Sequence, residues 1–128
     1  MPSTYLSISI SDMATFITYV VDGKAVVSHT HDVGFKQLEA DGLGIIAGSR
    51  LLDGVMYALE FISLQDRIPT EFHLDTNRHA TWLTNVLQDA SYTQFYTEDK
   101  PVRVTIDNTK GPSINYARHT KTVFSFKV

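Results

Sequence analysis

The chain contains no cysteine, which removes thiol nucleophiles, thiolate metal sites and disulfide scaffolds from consideration and fits a reducing, cytoplasmic setting. Long apolar runs are missing too. Nothing approaches the roughly 20 residues of a membrane helix, so no membrane association is expected. The opening residues Met1-Pro2-Ser3-Thr4 lack the basic-then-apolar layout of a signal peptide. Also absent are a Gly-x-x-x-x-Gly-Lys phosphate loop, a Gly-x-Ser-x-Gly elbow and a dinucleotide fingerprint placed after a strand. The chain has no internal repeats and no low-complexity segments.

What is present suits one globular domain: 128 residues, 43% of them hydrophobic and 11% aromatic, enough to bury a core without staples. The net charge of -3 is unevenly spread. Residues 1–100 hold six Lys and Arg against thirteen acids, whereas residues 101–128 hold five against one. Those five, Arg103, Lys110, Arg118, Lys121 and Lys127, are candidate contacts for phosphates or an acidic protein surface. The plainer reading is a solvated face.

Leu6, Ile8 and Ile10 alternate with Ser7 and Ser9, the period of a first strand. The β-rich runs Thr15 to Val21 and Lys24 to Thr30 flank Asp22-Gly23, a hairpin signal because both turn residues tolerate positive φ. Asp32 to Gly44, with three glycines and mixed charge, reads as a loop. From Ile45 to Ser63 the residues Ile45, Leu52, Val55, Met56, Leu59 and Ile62 recur at helical spacing. Gly48 and Gly54 inside that helix suggest that another backbone passes close by. Thr70 to Asp75 reads as a fourth strand, and Thr76 or Asn77 as the cap of a helix from Arg78 to about Asp89 with Trp82, Leu83, Val86 and Leu87 inward. Val102 to Ile106 and Thr122 to Val128 are further strand-like runs.

Two acids end strands: Asp12 after the first and Asp75 after the fourth. In that position they can share a metal, or act as a turn residue and a helix-start residue respectively. Ser28-His29-Thr30-His31-Asp32 places two histidines on one strand face, a transition-metal pattern that His73, His79 and His119 do not extend with any matching spacing. Capping or exposed histidines on an edge strand are the simpler account.

The element order, together with Leu74-Asp75-Thr76-Asn77, Ala58-Leu59-Glu60 and Glu98-Asp99-Lys100-Pro101-Val102, resembles ribonuclease HI over nearly the whole chain. The resemblance implies an α/β ribonuclease H-like mixed sheet of about five strands, with an antiparallel three-strand start, helices packed on it and Lys121 to Val128 as the family's last strand. It further implies two Mg²⁺ ions held by four carboxylates, one activating water and one stabilising the leaving oxygen. Asp12 and Asp75 match two of those ligands, although Met13-Ala14 follows Asp12 where the family has Gly-Ser. The third acid, a Glu in the first half of the long helix, falls on Leu51, next to Leu52. Asp53 is the nearby candidate, turned by about 200° along the helix from that position. The fourth acid and a His-bearing loop follow the family's last strand, where this sequence has ended.

The reading that follows is a single ribonuclease H-like domain, 1–128, with a degenerate site: a non-catalytic module needing no cofactor that binds a protein partner or nucleic acid, such as a small phage-type or mobile-element regulator of a host enzyme. Self-association through an edge strand is open to it. The alternative is an active Mg²⁺-dependent endoribonuclease using Asp12, Asp53 and Asp75, with Glu60 as a further candidate, on RNA in a hybrid or structured nucleic acid.

Overall fold

Six alternating residues begin the first strand, β1 (Tyr5–Ile10), whose Leu6, Ile8 and Ile10 are buried on one face while Ser7 and Ser9 turn to the other. A computed structural model describes residues 4–64, 68–76, 78–89, 96 and 102–106, together with the backbone of 124–127. β2 (Thr15–Val21) pairs antiparallel with β1, and β3 (Lys24–His31) antiparallel with β2. The turn between β2 and β3 puts Asp22 at φ 52° and Gly23 at φ 77°, the left-handed pair that matches strand twist and that Asp-Gly accepts at low cost.

The segment expected as a loop contains a short helix, α1 (Phe35–Ala40). Its first turn is stabilised from outside: the Phe35 and Lys36 amides donate to the carbonyls of Ser11 and Asp12, both at 2.9 Å, which satisfies donors that a helix start leaves open. Gly34 permits this approach, since a Cβ there would lie 2.5 Å from the carbonyl carbon and oxygen of Asp12. Phe35 and Leu38 are buried, a two-residue stripe too short to stand out as a period.

α2 (Ile45–Ser63) has the predicted bounds but a different buried stripe. Ala47, Leu51, Val55, Ala58, Leu59 and Ile62 face inward, Leu52 and Met56 are half-buried, and Ile45 is 92% exposed. Small residues at 47, 48, 54 and 58 let the helix lie close to its neighbours. Side chains, rather than a backbone, approach the two glycines: the His31 ring lies against Gly54 and Val86 against Gly48.

β4 (Glu71–Leu74) runs parallel to β1, and β5 (Arg103–Ile106) parallel to β4. α3 (Ala80–Gln88) begins two residues later than expected. Thr76 Oγ1 accepts the Arg78 amide at 3.0 Å, but Arg78 and His79 form a turn, and the helix starts only after His79 at φ 55°. β6 (Phe124–Lys127) lies parallel to β3, so the sheet order is β5-β4-β1-β2-β3-β6. The chain is thus α/β with a mixed open sheet. The strand beside β4 is Arg103–Ile106, whereas the last one occupies the far edge.

α2 and α3 cover the face carrying Leu6, Ile8, Ile17, Tyr19, Phe72 and Leu74, where the core is. The opposite face is lined by Ser7, Ser9, Thr18 and Ser28, with the Thr18 and Ser28 hydroxyls 3.2 Å apart. Among the described residues no helix is long and apolar enough to cross a membrane.

Candidate functional site

The carboxyl ends of β1 and β4 adjoin, because Ile8 is in register with Leu74. Asp75 and Asp12 both leave the sheet here, into opposite environments. Asp75 continues the β4 alternation onto the Ser9 face, where it is 2% exposed, accepts a hydrogen bond from the Ser9 hydroxyl and donates its amide to Ile8 O at 3.2 Å. Asp12 sits in the exposed turn after β1, its carbonyl engaged by α1 and its side chain 71% accessible.

A guanidinium spans that end of the sheet. Arg78 Nη1 donates to Asp12 Oδ1 at 3.0 Å, while its Nη2 and Nε donate to Glu39 Oε2 at 2.6 and 3.1 Å. His79 Nε2 joins the same Glu39 oxygen at 2.8 Å. The Phe35 ring lies under the guanidinium carbon, 4.5 Å from it, a cation–π contact that holds the fork in place. Hydrogen bonds from His79 and then Arg78 hold the Glu39 carboxyl below its usual range, and Glu39 in turn raises the guanidinium above its own. One cation therefore bridges two acids, one in the turn after β1 and one on α1.

The remaining residues expected at a site lie elsewhere. Leu51, where the resemblance puts a Glu, is fully buried in the core. Asp53 is exposed on the far side of α2, lining a groove with Trp82 and Asp89 of the α3 segment. Glu60 is exposed one turn from the end of α2. Arg103 is exposed on β5, Lys127 is described by its backbone alone, and Lys110, Arg118 and Lys121 lie outside the described residues. Among the described residues no three His, Cys, Asp or Glu side chains gather closely enough to hold a metal ion. The donor set does not fit Mg²⁺: Asp12 is engaged by Arg78, Asp75 is turned to Ser9, and the third position is an interior leucine.

No family model matches the chain, and neither does any curated protein or solved structure.

The histidine string is an interior feature, contrary to an exposed edge-strand role. His29 is fully buried with its ring 4.9 Å from that of Tyr57, and His31 Nε2–H donates to the Arg50 carbonyl at 2.7 Å. Alternation along β3 points both toward α2, and β6 lies on β3's outer side, so β3 is not at the edge. His73 instead stacks on Tyr5 at 3.9 Å between ring centroids and pairs with Glu71 at 3.0 Å. Sequence reasoning missed Glu39, Arg78 and His79 as a unit, since Glu39 fell in a supposed loop and only the adjacency of Arg78 and His79 to Asp75 gave a signal.

Proposed function

We propose that the protein is a non-catalytic module of ribonuclease H-like architecture whose work is to bind a macromolecular partner, a protein in preference to a nucleic acid. The observation that carries this reading is the Arg78 fork. At the strand ends where a two-metal nuclease would need free carboxylates, a built-in cation already bonds Asp12 and Glu39. The order β3-β2-β1-β4-β5, with its antiparallel start and parallel β4, supports the architecture. The active-nuclease alternative requires Asp12, Asp53 and Asp75 on common ions, which Asp53's place on the far side of α2 disfavours. A nucleic-acid partner draws support from the basic composition of 101–128 and the exposed Arg103.

The test is a Mg²⁺ and Mn²⁺ titration of the intact protein, read by melting temperature and by cleavage of a labelled RNA:DNA hybrid. Neither metal is expected to produce cleavage or a melting shift. Cleavage that disappears in Asp75→Asn would sink the proposal.

A further inference from the structure

β3, β4 and β5 are mutually parallel through the recorded pairings, so α2, which follows β3, and α3, which follows β4, both run back against the strands in the same sense. They touch at Gly48, where an added Cβ would lie 3.3 Å from Val86. Around that contact the two helices line an open groove of about 540 Å³. Its two ends differ in chemistry. Three or four residues before the contact stand Ile45, 92% exposed, and the half-buried Trp82. Beyond the contact stand Asp53 and Asp89, both exposed, the latter at the C-terminal end of α3 where the helix dipole adds negative potential. Among the described residues no Lys or Arg lines the groove.

Resting on the reading of a partner-binding module, we propose that this groove docks an amphipathic basic helix of a protein partner, with an apolar anchor over Ile45 and Trp82 and Lys or Arg over Asp53 and Asp89. Charge complementarity selects the partner: the acidic end attracts a basic segment and repels a phosphate backbone. Helical form follows from the walls. Both walls are helices whose amides beyond the first turn are bonded internally, so an added strand would find no continuous ladder, whereas a helix satisfies its own backbone. Ile45 and Asp53 are eight residues apart, about 12 Å along the axis, so anchor and base fall on one face of the incoming helix at i and i+7 or i+8.

Trp82 is the chain's single tryptophan, so its emission reports occupancy of the groove itself. The probe is an Ala-based peptide of about sixteen residues, free of aromatics, with Leu at i and i+3 and Arg at i+7 and i+8, titrated by calorimetry and Trp82 emission. A control peptide carries Glu in place of Arg. Saturable binding with a Trp82 shift is expected, weakened about tenfold or more by the Glu peptide, by Ile45→Ser and by the pair Asp53→Lys and Asp89→Lys, and unchanged by Met13→Ser. If the charge-reversed pair failed to fold, the Glu peptide on the unaltered protein would still decide the matter. Equal affinity for both peptides, or absence of binding, overturns the groove. Calorimetric binding that persists in Ile45→Ser without a Trp82 shift does so too, while leaving a binding module in place. Metal-dependent hybrid cleavage would instead remove the non-catalytic reading and leave the groove's occupancy to this titration.

Discussion

Replacing Gly54 by Ala tests the closest approach between α2 and the sheet. In an ordinary helix interior this change is favourable by about 1 kcal/mol. Here the new Cβ would lie 2.5 Å from His31 Cγ and Cδ2 and 2.9 Å from its Cβ, so the overlap reaches the root of the side chain and a ring rotation alone does not clear it. Moving the ring also breaks its bond to the Arg50 carbonyl. Overpacking of this kind costs about 1 to 3 kcal/mol and the lost hydrogen bond about 1 more. After the helix gain is subtracted, Gly54→Ala loses roughly 1 to 3 kcal/mol, a drop in melting temperature of about 5 to 15 °C. Denaturant unfolding of Gly54→Ala, His31→Ala and the double variant closes a cycle in which His31→Ala removes the closer overlap, with the ring, and leaves the one with its own Cβ, giving a coupling of about 1 kcal/mol. A single Gly54→Ala variant that melts higher than the parent would refute the packing argument.

Leu51→Glu puts a carboxyl in the position the family resemblance reserves for an acid, but the site is interior; a loss of about 3 to 5 kcal/mol is expected in urea unfolding, with no gain of Mg²⁺-dependent cleavage. Burial pushes the Tyr96 hydroxyl, which donates to Pro69 O at 2.6 Å, well above its ordinary value, so its stabilisation is complete below about pH 10 and declines as pH rises beyond that. Tyr96→Phe should flatten that alkaline decline in pH-dependent melting, and an unchanged slope would exclude Tyr96 as its source. Glu39 titrates below the usual carboxylate value, so its contribution is present above pH 4.5 and is lost as pH falls through the lowered value. In Arg78→Ala its carboxyl resonance should titrate nearer the ordinary range by NMR; no movement would mean that the guanidinium is not what holds it.

The strands and the long helix were legible because their residues follow a single period: Leu6-Ser7-Ile8-Ser9-Ile10, the runs around Asp22-Gly23, and the bounds of Ile45–Ser63. α1 was not, since its helix rests on amides accepted by Ser11 and Asp12 rather than on propensity or a long stripe. The inward face of α2 departs from the apolar period at its start because small residues, Ala47 and Gly48, make the contact there while Ile45 points out. At the candidate site, Asp12 and Asp75 were correctly placed at strand ends, but sequence could not tell that one would be bonded to Arg78 and the other buried beside Ser9. Those partners lie 66 residues away along the chain in both cases.

β1 pairs on one side with β2 through a short turn and on the other with β4, more than sixty residues downstream. Closing the first contact takes little loop entropy, whereas the second must wait until α2 has shortened the intervening chain. The β1-β2-β3 meander is therefore expected to assemble early, and the β1-β4 junction, with the Arg78 fork beside it, late. Loosening that fork should hasten unfolding and leave the refolding rate nearly unchanged.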